Sequence, residues 1–220
     1  MLKLTILYDN EAKPGFKGSW GFAALLESGK DTLLFDTGWD GYLLLENMNK
    51  LGVSPNSFRK LVLSHQHWDH IGGLPTVLQA NPDLTVYVPE SFSKNIKVEI
   101  RKRAKLVEIN DSYEIMSGVY STGELGNKVK EQSLLLDSGK GLYVLTGCAH
   151  PGLSTILDAA ERFGKVRGLI GGLHDSTEFE RLEGLKLVAA GHCTTHKAEI
   201  RSRFRASFLE IGAGLEIKLD

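Results

Sequence analysis

Between Ser64 and Gly73 the chain reads Ser-His-Gln-His-Trp-Asp-His-Ile-Gly-Gly, which puts three imidazoles and one carboxylate, His65, His67, His70 and Asp69, within six residues. Neutral imidazole and carboxylate are good ligands for zinc, iron, manganese and other borderline cations. A loop lets such neighbours converge on one point, whereas a strand would send alternate residues to opposite faces. Loops have no packing reason to concentrate histidine, so the cluster predicts a metal site.

The surrounding pattern supplies elements to hold that loop. Leu2 to Tyr8 alternates apolar and polar residues, and Trp20 to Leu26 and Thr32 to Phe35 are short apolar runs separated by Ser28-Gly29-Lys30-Asp31, the start of a β-meander. Tyr42, Leu43, Leu44, Leu45, Met48 and Leu51 recur at helical spacing and stop at Gly52. Leu61 to Ser64 is a buried-type strand that runs into the histidines, and helical patterning resumes from Leu74 to Ala80. Strand, polar loop and helix is the arrangement that places a site at the carboxyl end of a strand. After a strand at Leu84 to Val88, the charged stretch Ser91 to Lys105 reads as a helix with a solvated face. The second half repeats the grammar: strands at Ser133 to Leu136 and Leu142 to Thr146, a helix from Ser154 to Phe163 stopped by Gly164, strands at Val166 to Ile170, Leu187 to Ala190 and Leu215 to Leu219, and a helix from about Lys197 to Phe204. This predicts two sheets covered by helices, with residues 1–220 forming one domain.

Composition narrows the function classes. The 220 residues carry 26 Lys and Arg against 27 Asp and Glu, a net charge of −1, so no basic footprint for sequence-independent nucleic-acid binding is present. No apolar run approaches the roughly 20 residues of a membrane span, and Met1-Leu2-Lys3-Leu4-Thr5 lacks a signal-peptide pattern, so a cytoplasmic protein acting on a small molecule is expected. Cys148 and Cys193 are expected to be free thiols, since a chain of this length can bury enough apolar surface without a disulfide.

The histidine loop resembles the His-x-His-x-Asp-His hallmark of the metallo-β-lactamase superfamily. Leu34-Phe35-Asp36-Thr37-Gly38, Thr146-Gly147-Cys148-Ala149-His150 and Gly191-His192-Cys193-Thr194 resemble its other segments in the expected order. Asp9-Asn10, Gly147 to Gly152, Gly171-Gly172-Leu173-His174 and His192-Cys193-Thr194 are similar to the subgroup containing the archaeal dihydropterin ribofuranosyl-aminobenzene-phosphate synthases. The resemblance implies a four-layer αββα sandwich of two mixed sheets, with two divalent metal ions at one edge. Zinc is the first expectation for them, and manganese, iron and magnesium are the alternatives. It implies His65, His67 and His150 on one ion, and Asp69, His70 and His192 on the other. It makes Asp36 a partner that fixes a ligand imidazole, although a plain turn residue fits its spacing equally. Many superfamily hydrolases place a metal-bridging aspartate where this chain has Cys148; its thiolate would bind a metal, and a buried inert thiol is the competing reading.

His174, after two glycines at a strand end, is read as a substrate contact or general acid/base. His196 is read as a packing or solvated residue, and Cys193 as structural, with its side chain pointing away from the metals. The run Arg101 to Lys105 is either a solvated face or a landing site for an anionic substrate, and Trp68 either packs or stacks on a flat ring. The resulting function is metal-dependent hydrolysis of a small anionic, phosphate-containing substrate, with Asp69 orienting water and His174 assisting the leaving group. A pterin-type transferase releasing pyrophosphate and a non-catalytic, metal-dependent binding protein are the alternatives.

Overall fold

The computed structural model describes residues 2–220. Six strands follow one another into the first sheet: β1 (Leu2–Tyr8), β2 (Ala23–Ser28), β3 (Asp31–Phe35), β4 (Lys60–Val62), β5 (Thr85–Pro89) and β6 (Lys105–Ile109). The second sheet holds β7 (Tyr113–Met116), β8 (Val119–Ser121), β9 (Leu134–Asp137), β10 (Leu142–Thr146), β11 (Val166–Gly172), β12 (Leu187–Gly191) and β13 (Phe208–Glu210). The last strand, β14 (Glu216–Leu219), returns to pair antiparallel with β1, so each sheet has seven strands. Both sheets are mixed. The first is antiparallel from β14 to β3 and parallel from β3 to β6, and the second is antiparallel from β7 to β10 and parallel from β10 to β13.

Alternation along the strands builds three apolar layers. In β3, Leu33 and Phe35 face the space between the sheets and Leu34 faces outward; in β10, Tyr143 and Leu145 face in and Val144 faces out. The outer face of the first sheet is covered by α1 (Gly41–Lys50), α3 (Leu74–Ala80) and α4 (Lys94–Arg101) through Leu44, Met48, Val77, Leu78 and Ile100. The outer face of the second is covered by α5 (Leu153–Glu161) and α6 (Lys197–Arg203) through Ile156, Leu157, Ala160 and Ile200. The order of layers is therefore helix, sheet, sheet, helix, the αββα sandwich that the sequence leads one to expect. No helix of the described residues is long and apolar enough to cross a membrane.

The parallel strands of both sheets end at the same edge, and their outgoing loops carry the chemistry. Asp36 follows β3 and His65 lies just past β4, whereas Cys148 and His150 follow β10, His174 follows β11, and His192 follows β12. The one-turn helix α2 (Trp68–Ile71) carries Asp69 and His70.

Candidate metal centre

Three imidazoles meet at one side of this edge. The ring centroids of His65 and His67 are 4.6 Å apart, and each lies 4.8 Å from that of His150. Beside them, His70 Nε2 lies 3.2 Å from His192 Nε2 and 3.1 Å from Cys148 Sγ, while Asp69 Oδ2 is 3.2 Å from His192 Nε2. Donor atoms of Asp69, His70, Cys148 and His192 lie within 4.8 Å of one another, as do those of His65, Cys148 and His150. Cys148 belongs to both sets, which makes its sulfur their common vertex. Each set could hold a metal ion.

Hydrogen bonds fix which ring nitrogens carry protons. The Asp36 carboxylate accepts from Ser64 N, Ser64 Oγ and His70 Nδ1, each at 2.7 Å. Ser64 Oγ gives its only proton to Asp36, so it accepts one from His65 Nδ1 at 2.9 Å. His192 Nδ1 donates to Asn10 Oδ1 at 3.1 Å. The Nε2 lone pairs of His65, His70 and His192 therefore all point into the cluster. Two such lone pairs facing across 3.2 Å, as in His70 and His192, are stabilised by a positive charge between them. His150 Nε2 is buried with no hydrogen-bond partner. These are neutral nitrogen, carboxylate and sulfur donors awaiting a cation, and the set suits a divalent transition metal.

The electrostatics agree. Burial and the neighbouring imidazoles hold His65 well below its ordinary pKa, and burial brings His150 down to about 4, so both rings are neutral at physiological pH. Burial opposes the charge on Asp69, but its contacts with the His192 and His70 rings outweigh it and lower its pKa. His70 is the exception: burial works against its protonation, but the adjoining Asp36 carboxylate more than offsets it and raises its pKa, so in the metal-free protein its Nε2 favours a proton that a cation bound there would displace.

The loops that present these donors are strained and clamped. Asp36, Ala149, His174 and His192 are the non-glycine residues with positive φ among the described residues, at 57°, 58°, 45° and 48°, and all belong to this edge. His192 is held in that conformation from both sides: its backbone N–H donates to Asp9 Oδ2 at 2.9 Å, and its carbonyl accepts from Asn10 Nδ2 at 3.0 Å. Burial raises the Asp9 carboxyl to about 7. Gly147 admits the Ser64 side chain, since a Cβ there would lie 2.3 Å from Ser64 Oγ.

Glu131, absent from the sequence reading, clamps the central loop. It is fully buried. Its Oε1 accepts from Thr146 Oγ1 and from the backbone N–H groups of Gly147, Cys148 and Ala149, and its Oε2 accepts from His150 N, at 2.8–3.1 Å. Trp20 is a second addition: its indole N–H donates to Asp69 Oδ2 at 2.9 Å while its ring lies 5.2 Å from that of His192. Asp175 is a third, accepting from His174 Nδ1 at 2.8 Å.

The remaining sequence expectations divide. His174 is exposed on the rim, its ring 4.9 Å from that of His150. His196 packs against Phe179 at the start of α6, outside both donor sets. Cys193 is a correction, because its thiol turns inward, beside the Cys148 thiol and the His174 backbone. The left-handed turn at His192 redirects the chain as it leaves β12 and removes the strand alternation on which the outward expectation rested. Both cysteines are free. The run from Arg101 is a solvated face: Lys102 and Arg103 pair with Glu99, and Arg101 and Lys97 with Glu108. Trp68 is exposed and borders an apolar groove with Ile71, Leu74 and Ile96.

The family model of the metallo-β-lactamase superfamily matches residues 21–162, well over half of the chain. The chain belongs to this superfamily. Members of the metallo-β-lactamase superfamily typically bind divalent metals and are mostly metal-dependent hydrolases. Among curated relatives, the chain is similar to 7,8-dihydropterin-6-methyl-4-(β-D-ribofuranosyl)-aminobenzene-5′-phosphate synthase of Methanocaldococcus jannaschii, at 27% identity over 86% of this chain and 85% of that one. Among solved structures it superposes on Tm1679, a metal-dependent hydrolase of the superfamily, with a TM-score of 0.80 and 25% identity, covering 100% of this chain and 99% of that one. A diphosphatase of the PhnP family shares the fold, with a TM-score of 0.67 and 15% identity over 100% of this chain and 98% of that one.

Proposed function

We propose that this chain is a metal-dependent hydrolase of a small, anionic, phosphate-containing substrate. In this reading His65, His67 and His150 hold one divalent cation, Asp69, His70 and His192 hold a second, and Cys148 serves one or both. Zinc is the best match for a donor set of imidazole, carboxylate and thiolate. The observation that carries the reading is the convergence of lone pairs whose tautomers are fixed by Asp36, Ser64 and Asn10. Metal ions bound there supply Lewis-acid activation of water and of a substrate oxygen. Asp69, ionised and held by the Trp20 indole N–H, would orient the attacking water. His174, whose Nδ1–H donates a hydrogen bond to Asp175, lines the cavity and would assist the leaving group from there.

The synthase relative favours a second reading, a transferase that releases pyrophosphate. One set of assays separates the two. Zinc- or manganese-loaded protein is given chromogenic phosphomonoester, phosphodiester and thioester substrates, and separately a pterin-type diphosphate with and without an aromatic amine. Turnover of an ester that rises through an apparent pKa near about 7 and drops roughly 10²- to 10⁴-fold in His174→Ala, with metal content unchanged, supports the hydrolase. Pyrophosphate release that requires the amine supports the transferase. Silence in every assay at full metal loading leaves a binding protein.

A further inference from the structure

A hairpin tip stands across the approach to the metal centre. Leu125 and Glu131 exchange both backbone hydrogen bonds, at 2.9 and 3.0 Å, leaving residues 126–130 as the tip. The tip is tight: Gly126 has φ of 90°, and a Cβ there would lie 2.8 Å from Val129 O. Its root is Glu131, whose carboxylate is bonded to the loop carrying Cys148 and His150, so the tip and the donors form one unit.

Two cavities flank this tip, and Lys128 and Val129 line both. The larger, about 760 Å³, is bordered by His150 and His174 and lined with Asn127, Thr155, Ser176 and Thr177. The smaller, about 290 Å³, is bordered by Gln66, His67 and Ser91. The larger thus reaches His150 of the His65, Cys148 and His150 set, and the smaller reaches His67, whose ring packs against those of His65 and His150. The carboxylates of the larger cavity are already engaged, Asp175 by His174 and Glu178 by the backbone N–H groups of Leu153 and Ser154. Lys130 is turned toward Glu124, 3.6 Å away, whereas Lys128 has no carboxylate partner among the described residues. The other cationic run, on α4, is neutralised by Glu99 and Glu108.

We infer that Lys128 is the anion-recognition residue of this enzyme. The substrate is a phosphate ester or diphosphate whose phosphoryl group lies at the hairpin tip, between Lys128 and the donor set, and whose hydroxylated remainder fills the larger cavity. The lining of that cavity mixes hydroxyl and amide groups with the apolar Val129, Pro151 and Leu173, which suits a hydroxylated ring such as a sugar, polar at its edge and apolar on its face. Lysine suits the task as a mobile point charge, and a charge-assisted hydrogen bond to phosphate is among the stronger polar contacts. The inference rests on the metal-centre reading proposed above.

The test is calorimetric titration of metal-loaded protein with inorganic pyrophosphate and with inorganic phosphate, the metal content of each sample being measured by elemental analysis. Lys128→Met is expected to weaken pyrophosphate binding about tenfold or more and to reduce its salt dependence, since one screened ionic contact is removed. Lys128→Arg should keep the affinity within about threefold, because charge is retained. Lys102→Met should leave it unchanged. Equal affinity in wild type and Lys128→Met, or no binding by fully loaded wild type, overturns the role of Lys128 and leaves the metal centre standing. Protein that takes up no metal under loading overturns the metal-centre reading itself, and this inference with it.

Discussion

The two donor sets differ in how they are enclosed. Around Asp69, His70, Cys148 and His192 the rings are buried, and the set is buttressed from outside by Asp36, Asn10, Asp9 and Trp20. Around His65, His67 and His150 only His65 is fully buried, and His67 and His150 border the two cavities. The enclosed set also carries a carboxylate, while the open set is imidazole, and the Cys148 sulfur belongs to both. On the proposed reading, ion retention and substrate access fall to adjacent halves of one centre. The halves are joined at two points, the Cys148 sulfur and the Asp36 carboxylate, which orients His70 directly and His65 through Ser64.

Asp36→Asn should have the largest effect, since it strikes both halves at once. It leaves three donors facing an amide in a fully buried position. Removing one partner of a buried ion pair is expected to cost about 3–5 kcal/mol, read from chemical denaturation of metal-free protein. Metal affinity in both sets should fall roughly 10- to 100-fold. Full retention of both metals would show that the halves have separate supports. His67→Ala acts on the open half alone, so elemental analysis should register loss of about one equivalent, with His196→Ala unchanged. Loss of all metal in His67→Ala would merge the halves into one site.

The smallest effect is in pH. A histidine whose pKa is depressed by folding binds its proton more readily in the unfolded chain. Metal-free protein should therefore lose the His150 contribution to stability as pH falls from about 6.5 toward about 4. Asp9, raised to about 7, acts with the opposite sign over an overlapping range, so the measurement is the difference between wild type and His150→Gln. A difference that does not change between pH 7.5 and pH 4.5 would contradict the burial of this ring.

Sequence made the donors visible and left their supports obscure, for a physical reason. Histidine is uncommon, and three within a loop have no packing explanation, so His65, His67 and His70 stand out. Glu131 acts by accepting backbone N–H groups of a loop distant in sequence, and a lone glutamate in Lys128-Val129-Lys130-Glu131 carries no spacing that would reveal this. Trp20 reads as the first residue of a strand, but the strand begins at Ala23 and the indole is 54% exposed, reaching across to Asp69. The central strands and covering helices were legible because their apolar periodicity is unbroken, as in Leu142 to Thr146. The short strands β6, β7, β8 and β13 escape the pattern: β6, β7 and β13 lie at sheet edges, where exposure breaks alternation as in the charged Lys105–Ile109, and β8, at three residues, is too short to show one.

Each donor set draws on both sheets: His65, Asp69 and His70 come from the loop after β4, while Cys148, His150 and His192 come from the ends of β10 and β12. A cation in either set would be a non-covalent cross-link between the two layers of the sandwich, in a chain whose cysteines form no covalent one. Its strength would follow mass action, about 2.7 kcal/mol per site at a free metal concentration one hundred times the dissociation constant. The melting temperature of this protein would then report the metal supply around it, and a chelator would loosen the sandwich at the seam between its sheets.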